Sequence, residues 1–239
     1  MMKKTLLVSF ILLISLTSCR TAGTLDELLA ALPTPDSGPL SEGTIISGLK
    51  EALTVGTKNA VDRVSVKNGY FRNRAIKILI PEDVRWVTDL ISKAGFSKEV
   101  DAFTLSMNRA AERAATEAAS IFVNSVKQMS FADAKGILYG GETAATDYFR
   151  EKTGDEIFNR FKPIVAKAVD EVGVTKSFKN MMKAYNTLPY SRAVMIDLDT
   201  YVTEGASKGL FRMLAVEEKK IRTDPAARVT ALLKKVFSQ

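Results

Sequence analysis

The chain has 239 residues, of which 46% are hydrophobic and 26% charged, and its formal net charge is +7. This balance excludes a disordered tail and a polytopic membrane protein, and the length suits one large domain or two small ones. Because the chain has no histidine and one cysteine, it excludes histidine-based catalysis, disulfide frameworks and imidazole–thiolate zinc sites, and we expect no cofactor and no metal site.

Residues 1–18 are typical of an export signal. Two lysines precede an apolar run over Leu6–Leu16, which is too short for the roughly 20 residues of a membrane-spanning helix. The run ends in Leu-Thr-Ser-Cys, which resembles the lipobox of bacterial lipoproteins; a signal peptide with an unrelated cysteine is the alternative. The resemblance implies cleavage before Cys19 and acylation of Cys19, which would anchor the protein in a membrane. Arg20, standing where an aspartate would act as a retention signal, implies the outer membrane, with the domain facing the periplasm.

Residues 19–40 predict a flexible tether behind the acylated cysteine. A short apolar stretch at Leu25–Leu32 is followed by Pro33, Pro35 and Pro39, which stop any helix. We therefore expect a single all-helical domain over residues 41–239, held at a distance from the membrane by the tether.

The basic surplus of the mature chain predicts a second kind of contact with the envelope. Residues 208–239 contain eight basic and three acidic side chains, an excess of five that equals the surplus left once the signal peptide is removed. The basic residues are Lys208, Arg212, Lys219, Lys220, Arg222, Arg228, Lys234 and Lys235. They could contact anionic head groups or other envelope polyanions, although a solvated helix face is the simpler interpretation. An exported protein does not normally meet nucleic acid, so we expect none as a partner.

The first half of the domain predicts three helices and one ambiguous segment. Ser41 is a good N-cap for a first helix, and Pro81 opens another that ends at Gly95. Residues 64–80 alternate around Asn-Gly, which fits either a short β-hairpin or a packed irregular loop. Apolar residues then recur at helical spacing from Ser97 to Met129, which predicts a long central helix with an alanine-rich middle.

The second half also predicts helices. Ser130–Asp133 matches a capping box, and the short helix that it opens should end at Gly140-Gly141. A helix around Ala144–Phe149 and another opened by Asp155 follow, with Pro163 expected to kink or divide the latter. Helices over residues 175–186 and 200–221, and one opened by Asp224, complete an all-α bundle.

Six segments fall in the order found in a bacterial family of exported proteins and lipoproteins. They are Gly48–Leu53, Ala75–Ile78, Met107–Glu112, Ile137–Gly141 with Ala144–Phe149, Phe161–Val165 and Asp224–Arg228. The chain resembles the family known as domain of unknown function 4197 over residues 41–238. The resemblance implies an all-helical fold and an envelope location, and it implies no catalytic residue.

Two places in the sequence are candidates for ligand binding. Asn108, Arg109 and Glu112 share one side of the central helix, where Arg109 could hold an anion and Glu112 could act as a base. A structural salt bridge that fixes the helix is the interpretation that we favour. Gly140 and Gly141 form a turn before a helix, which could expose N–H groups to an anion, or simply connect two helices.

Two functions remain open on the sequence. The preferred one is a lipid-anchored, non-enzymatic module that binds a partner protein or an apolar or anionic small ligand in the periplasm. The alternative is a carboxylate-dependent envelope hydrolase that acts on a glycan. Its carboxylate pair would come from Glu112, Glu117, Glu142, Asp197 and Asp199, among which the spacing selects no pair.

Overall fold

The computed structural model describes residues 41–171, 174–187, 197–228, 230–232 and 234. Its α-helices, in chain order, are α1 (Glu42–Val64), α2 (Glu82–Lys93), α3 (Ser97–Ala114), α4 (Ala118–Gln128), α5 (Phe131–Leu138), α6 (Ala144–Glu171), α7 (Val174–Asn186) and α8 (Leu198–Thr223). Single 3-10 turns lie at Ala115–Glu117 and Pro225–Ala227. No described residue belongs to a strand, so the predicted all-α fold is confirmed. The predicted signal peptide, Cys19 and the tether lie outside the described residues.

The helices pack around one apolar core within a compact unit that runs from Leu40 to Gln239. Helix α8 packs against α6 and α1, α3 packs against α6 and α7, and α2 packs against both α3 and α7. The largest side chains of the core are fully buried, among them Tyr70, Phe103, Phe122, Phe149 and Phe161. Burial of such side chains contributes about 1.5–3 kcal/mol each, so this core is the main source of the fold's stability.

The predicted central helix is confirmed over Ser97–Gln128. Helices α3 and α4 follow each other without a break in the helical path, joined by the 3-10 turn at Ala115–Glu117. Five alanines of the middle are completely buried (Ala110, Ala111, Ala114, Ala115 and Ala118). Their small side chains let the neighbouring helices approach α3 closely.

The segment between α1 and α2, residues 65–80, is an irregular loop and not a hairpin. It is built of turns, and Asn68 adopts a left-handed conformation with φ of 72°. A strand would need a neighbouring strand to pair with. Here side chains of α3 hydrogen-bond to the backbone of the loop instead, as described below. Of the two predicted outcomes, the packed loop is the correct one.

Helix ends follow local capping signals, and two predicted helix breaks are wrong. The Ser130 side chain accepts from the N–H of Asp133 at 3.1 Å and the Asp133 carboxylate accepts from the N–H of Ser130 at 3.0 Å, which confirms the capping box. The predicted break before Asp155 is absent, since α6 runs through Gly154. Pro163 also lies inside α6, so the predicted division of the helix at this residue is wrong as well. Packing of the apolar face of α6 outweighs these two weak helix formers.

Asp224 caps a 3-10 turn that begins at Pro225, and part of the helix predicted after it lies outside the described residues. None of the described helices is both long enough and apolar enough to cross a membrane.

Candidate functional site

Asn108 attaches the loop of residues 65–80, called here the α1–α2 loop, to helix α3. The Asn108 Oδ1 atom accepts from the N–H of Ile78 at 2.8 Å, and its Nδ2 atom donates to the carbonyl of Ile78 at 2.8 Å. The same Nδ2 atom donates to the carbonyl of Thr104 at 2.8 Å. The Asn108 side chain is completely buried. It therefore satisfies backbone groups that a strand partner would otherwise bind.

Glu112 fixes the other end of the same loop. Its Oε1 atom accepts from the N–H groups of Tyr70 at 3.1 Å and Phe71 at 3.2 Å, while its Oε2 atom accepts from Arg109. Arg109 in turn donates to the side chain of Asn68 at 2.8 Å. Glu112 is only 4% exposed. Charge-assisted bonds of this kind are stronger than neutral ones, so the carboxylate holds the turn at residues 68–71 firmly against α3.

Tyr70 and two glycines attach the α1–α2 loop to α8. The buried Tyr70 hydroxyl donates to the carbonyl of Ala206 at 2.6 Å. Burial raises the pKa of Tyr70, and the Glu112 carboxylate raises it further, so the phenol stays a neutral donor. A Cβ atom at Gly209 would lie 2.5 Å from the ring of Tyr70, and one at Gly205 would lie 3.0 Å from Ile78. The close approach of the loop to α8 requires glycine at Gly209.

The Gly140-Gly141 turn lies next to a helix terminus that the chain caps with its own carboxylate. At the start of α6, the N–H groups of Ala145 and Thr146 donate to the Glu218 carboxylate, both at 2.9 Å. Glu218 also accepts from Arg222, and Arg222 donates to the carbonyl of Ile137 at 2.9 Å. These first-turn N–H groups, which could have received an external anion, thus bind an internal one. The hydrogen bonds that Asn108, Arg109 and Glu112 make outside α3 lead to the α1–α2 loop and not to this turn. Ligand binding by the five predicted residues stays a prediction.

A groove of about 640 Å³ lies where the second half of the α1–α2 loop meets α8 and α6. Its floor contains apolar side chains of the loop and of α8, including Ile78 and Phe211. Its walls carry five basic side chains and two carboxylates (Lys77, Arg85, Arg150, Lys208 and Arg212 with Glu82 and Glu204). The volume suits a small organic ligand, and the charges favour an anion.

Two of the five basic side chains in the groove have no carboxylate partner in the described part of the chain. Arg85 pairs with Glu82 at 3.2 Å and Lys208 with Glu204 at 3.0 Å, whereas Arg150 pairs with a residue outside the groove, Asp147, at 2.6 Å. Lys77 lies 4.3 Å from the centre of the Phe71 ring and Arg212 is exposed. These two unpaired cations are the strongest candidates for contacts with an anionic ligand.

Tyr201 holds the backbone in place at the edge of the groove. Its hydroxyl donates to the carbonyl of Leu79 at 2.9 Å, and burial raises the pKa of the phenol. The backbone is held in place here at two neighbouring residues, because Asn108 hydrogen-bonds to Ile78 and Tyr201 hydrogen-bonds to Leu79. The walls of the groove are therefore preformed, which reduces the entropic cost of binding.

A second basic surface was missed by the sequence analysis. From Arg63 to Ile80 the chain has five basic side chains and no acidic one. Four of them surround a depression of about 490 Å³ at the first half of the loop (Arg63, Lys67, Arg72 and Arg74). A charge count over short windows would have found this segment. The basic excess of the C-terminal 32 residues equals the surplus of the whole mature chain. The net charge therefore does not reveal this segment, because acidic residues elsewhere in the chain cancel its charge.

Part of the basic C-terminal segment is used inside the fold. Arg228 is buried and donates to the carbonyls of Ile221 at 3.2 Å and Arg222 at 3.1 Å. Lys220 pairs with the buried Glu217 at 2.9 Å. Lys219 and Lys234 are exposed, while Lys235 lies outside the described residues. Contact of this segment with an anionic surface stays a prediction, with fewer exposed cations than the sequence suggested.

The carboxylates named for a hydrolase have separate roles where the structure describes their bonds. Glu112 binds the α1–α2 loop, and Asp197 caps α8 by accepting from the N–H of Thr200 at 3.1 Å. The hydrogen bonds to Thr200 lower the pKa of Asp197, which keeps it ionised and unsuited to act as a general acid. Glu142 is exposed in the turn before α6. Among the described residues, no group of three or more Cys, Asp or Glu side chains could hold a metal ion.

The chain belongs to a family whose biochemical role is unknown. The family model described as "Protein of unknown function (DUF4197)" matches residues 39–238, nearly all of the domain. The predicted membership is thereby confirmed. No curated protein and no solved structure matches the chain significantly.

Proposed function

We propose that the protein is a lipid-anchored, non-enzymatic binding module of the bacterial envelope, and that it binds an anionic small ligand in the groove between the α1–α2 loop and α8. The observation that carries the proposal is the excess of basic side chains in the groove, five against two carboxylates. Lys77 and Arg212 are available to a ligand because they pair with no carboxylate of the described chain.

The shape of the groove supports binding over catalysis. Its apolar floor and cationic walls suit an organic anion that carries a carboxylate or a phosphate. The carboxylates in the groove, Glu82 and Glu204, are both ion-paired. Their side chains are also exposed, Glu82 to 85% and Glu204 to 49%, whereas a carboxyl group that acts as a general acid is typically held in a buried, apolar site.

The N-terminal sequence supports the envelope location. The lipobox-like segment that ends at Cys19 and the short apolar run before it are the features of an acylated, exported protein. The domain would then meet its ligand in the periplasm while remaining attached to a membrane.

Thermal unfolding with citrate as the probe tests the groove. A ligand that binds only the folded state raises the unfolding temperature, and saturation at 100 times the Kd stabilises by about 2.7 kcal/mol. We expect citrate to raise the melting temperature of the full chain more than sodium chloride at equal ionic strength. The double variant Lys77→Gln/Arg212→Gln should lose most of this increase.

A matched control separates the groove from net charge. The variant Lys127→Gln/Lys176→Gln removes two exposed lysines on α4 and α7 and has the same net charge as the groove variant. It should keep the citrate effect. Equal loss in both variants, or no effect of citrate on the wild type, would contradict anion binding in the groove.

A further inference from the structure

The cationic depression beside the groove has the features of a surface that meets a charged interface. It is formed by the first half of the α1–α2 loop with Arg63 and Met213, and it is separate from the groove, with which it shares no lining residue. Lys67, Arg72 and Arg74 are all exposed, and none has a carboxylate partner among the described residues. Arg63 is partly neutralised by Glu217 at 3.3 Å.

An exposed apolar side chain lies among these cations. Val66 lines the same depression and is 55% exposed. Cations that surround an apolar side chain are what a peripheral protein presents to lipid, where the cations contact phosphates and the apolar group contacts the acyl boundary.

The depression is also held in a fixed shape. Its floor includes Asn68 and Gly69, which belong to the turn that Arg109 and Glu112 tie to α3. Asn73 contacts the sulfur of Met213 on α8 at 3.4 Å. The cations therefore project from a rigid base, and little order has to be gained when they meet a surface.

We infer that the first half of the α1–α2 loop is a docking surface for anionic phospholipid head groups, through Lys67, Arg72 and Arg74. This docking does not depend on the ligand of the groove, but it rests on the proposed envelope location for its access to lipid. The bound domain would have one fixed face toward the bilayer.

Vesicle sedimentation tests the inference on the mature chain, residues 19–239, with Cys19→Ser, so that neither the signal peptide nor an acyl group contributes. The vesicles consist of phosphatidylcholine alone, or of phosphatidylcholine with about one third phosphatidylglycerol, which gives a strongly anionic surface. The expected preference is for the anionic vesicles, and it should fall steeply as sodium chloride is raised, since screening weakens such contacts. Each basic residue near the surface is worth about a fivefold change in affinity, so Lys67→Gln/Arg72→Gln/Arg74→Gln should weaken binding about 100-fold.

The control is Lys127→Gln/Lys176→Gln/Lys179→Gln, which has the same net charge and removes exposed cations from α4 and α7. Its affinity for anionic vesicles should lie within about threefold of that of the wild type, which is less than the effect of one basic residue at the membrane surface. Equal weakening of both variants would overturn the inference, because net charge alone would then explain binding. Equal binding of the wild type to both kinds of vesicle would overturn it as well.

Two further readouts keep the outcomes distinct. If long-chain polyphosphate binds the wild type while anionic vesicles do not, the surface binds a soluble polyanion and the lipid assignment is wrong. The citrate effect on melting temperature should be unchanged in the Lys67→Gln/Arg72→Gln/Arg74→Gln variant. Loss of vesicle binding with an intact citrate effect separates the docking surface from the groove, so that either proposal can fail alone.

Discussion

Replacement of Asn108 by alanine tests most severely whether the α1–α2 loop is held by α3. In the wild type, the Asn108 side chain is the hydrogen-bond partner of both the N–H and the carbonyl of Ile78, each at 2.8 Å. Ile78 is only 5% exposed, so water cannot fully replace these bonds. A buried polar group left without its partner costs about 1–3 kcal/mol, and two such groups therefore cost about 2–6 kcal/mol.

Equilibrium unfolding in urea measures this loss as the change in the free energy of unfolding. Asn124→Ala is the matched control because Asn124 is an exposed residue of α4, and there the same substitution should stabilise by up to about 0.7 kcal/mol through helix propensity. In hydrogen exchange, the amide of Ile78 should lose its protection in Asn108→Ala. If the free energies of unfolding of Asn108→Ala and the control differ by less than about 1 kcal/mol, the loss expected for two unpaired groups is absent and Asn108 does not hold the loop.

Three further substitutions test other contacts. Glu112→Gln keeps an acceptor for the loop but loses the charge of its ion pair, and in urea unfolding it should cost about 1–3 kcal/mol; no measurable cost would contradict the charge-assisted anchor. Ser130→Ala removes a helix cap and should lower the free energy of unfolding by about 1 kcal/mol. Because the hydrogen bonds of Ser130 lower the pKa of Asp133 below its ordinary 3.8, the wild type should be more stable than the variant at neutral pH, and this difference should shrink as the pH falls below that value. A stability difference that grows in acid would contradict the role of this cap. Gly209→Ala forces the ring of Tyr70 to move and should lower the free energy of unfolding, measured by thermal unfolding, by about 1–3 kcal/mol. Gly154→Ala has open space around it and should be neutral or stabilising. Equal effects of the two substitutions would contradict close packing of the α1–α2 loop on α8 at Gly209.

The sequence predicted helix starts and helix faces well where they depend on residues that are close together in the chain. The capping box at Ser130, the N-cap at Ser41 and the apolar spacing of α3 each depend on residues a few positions apart, and each is found in the structure. The predicted break before Asp155 was wrong because the packing of α6 on α8 and α3 is not visible in a short window.

The role of the polar cluster on α3 could be predicted only in part. Helical spacing placed Arg109 and Glu112 within reach of each other, and their ion pair is present. The partners of the cluster in the α1–α2 loop are 30 to 42 residues away in the sequence, and spacing carries no information about contacts at that distance. The groove depends on three separate segments of the chain, so its position likewise required the fold.

Mass spectrometry of the protein, purified from its own envelope under native conditions, tests the lipid anchor and the bound anion together. We expect a mature chain that begins at an acylated Cys19 and carries a small anionic molecule. That molecule should be absent when Lys77→Gln/Arg212→Gln is purified in the same way. An unmodified Cys19 in a chain that carries no anion would contradict both the lipid anchor and anion binding. An anion retained equally by the variant would contradict binding through Lys77 and Arg212.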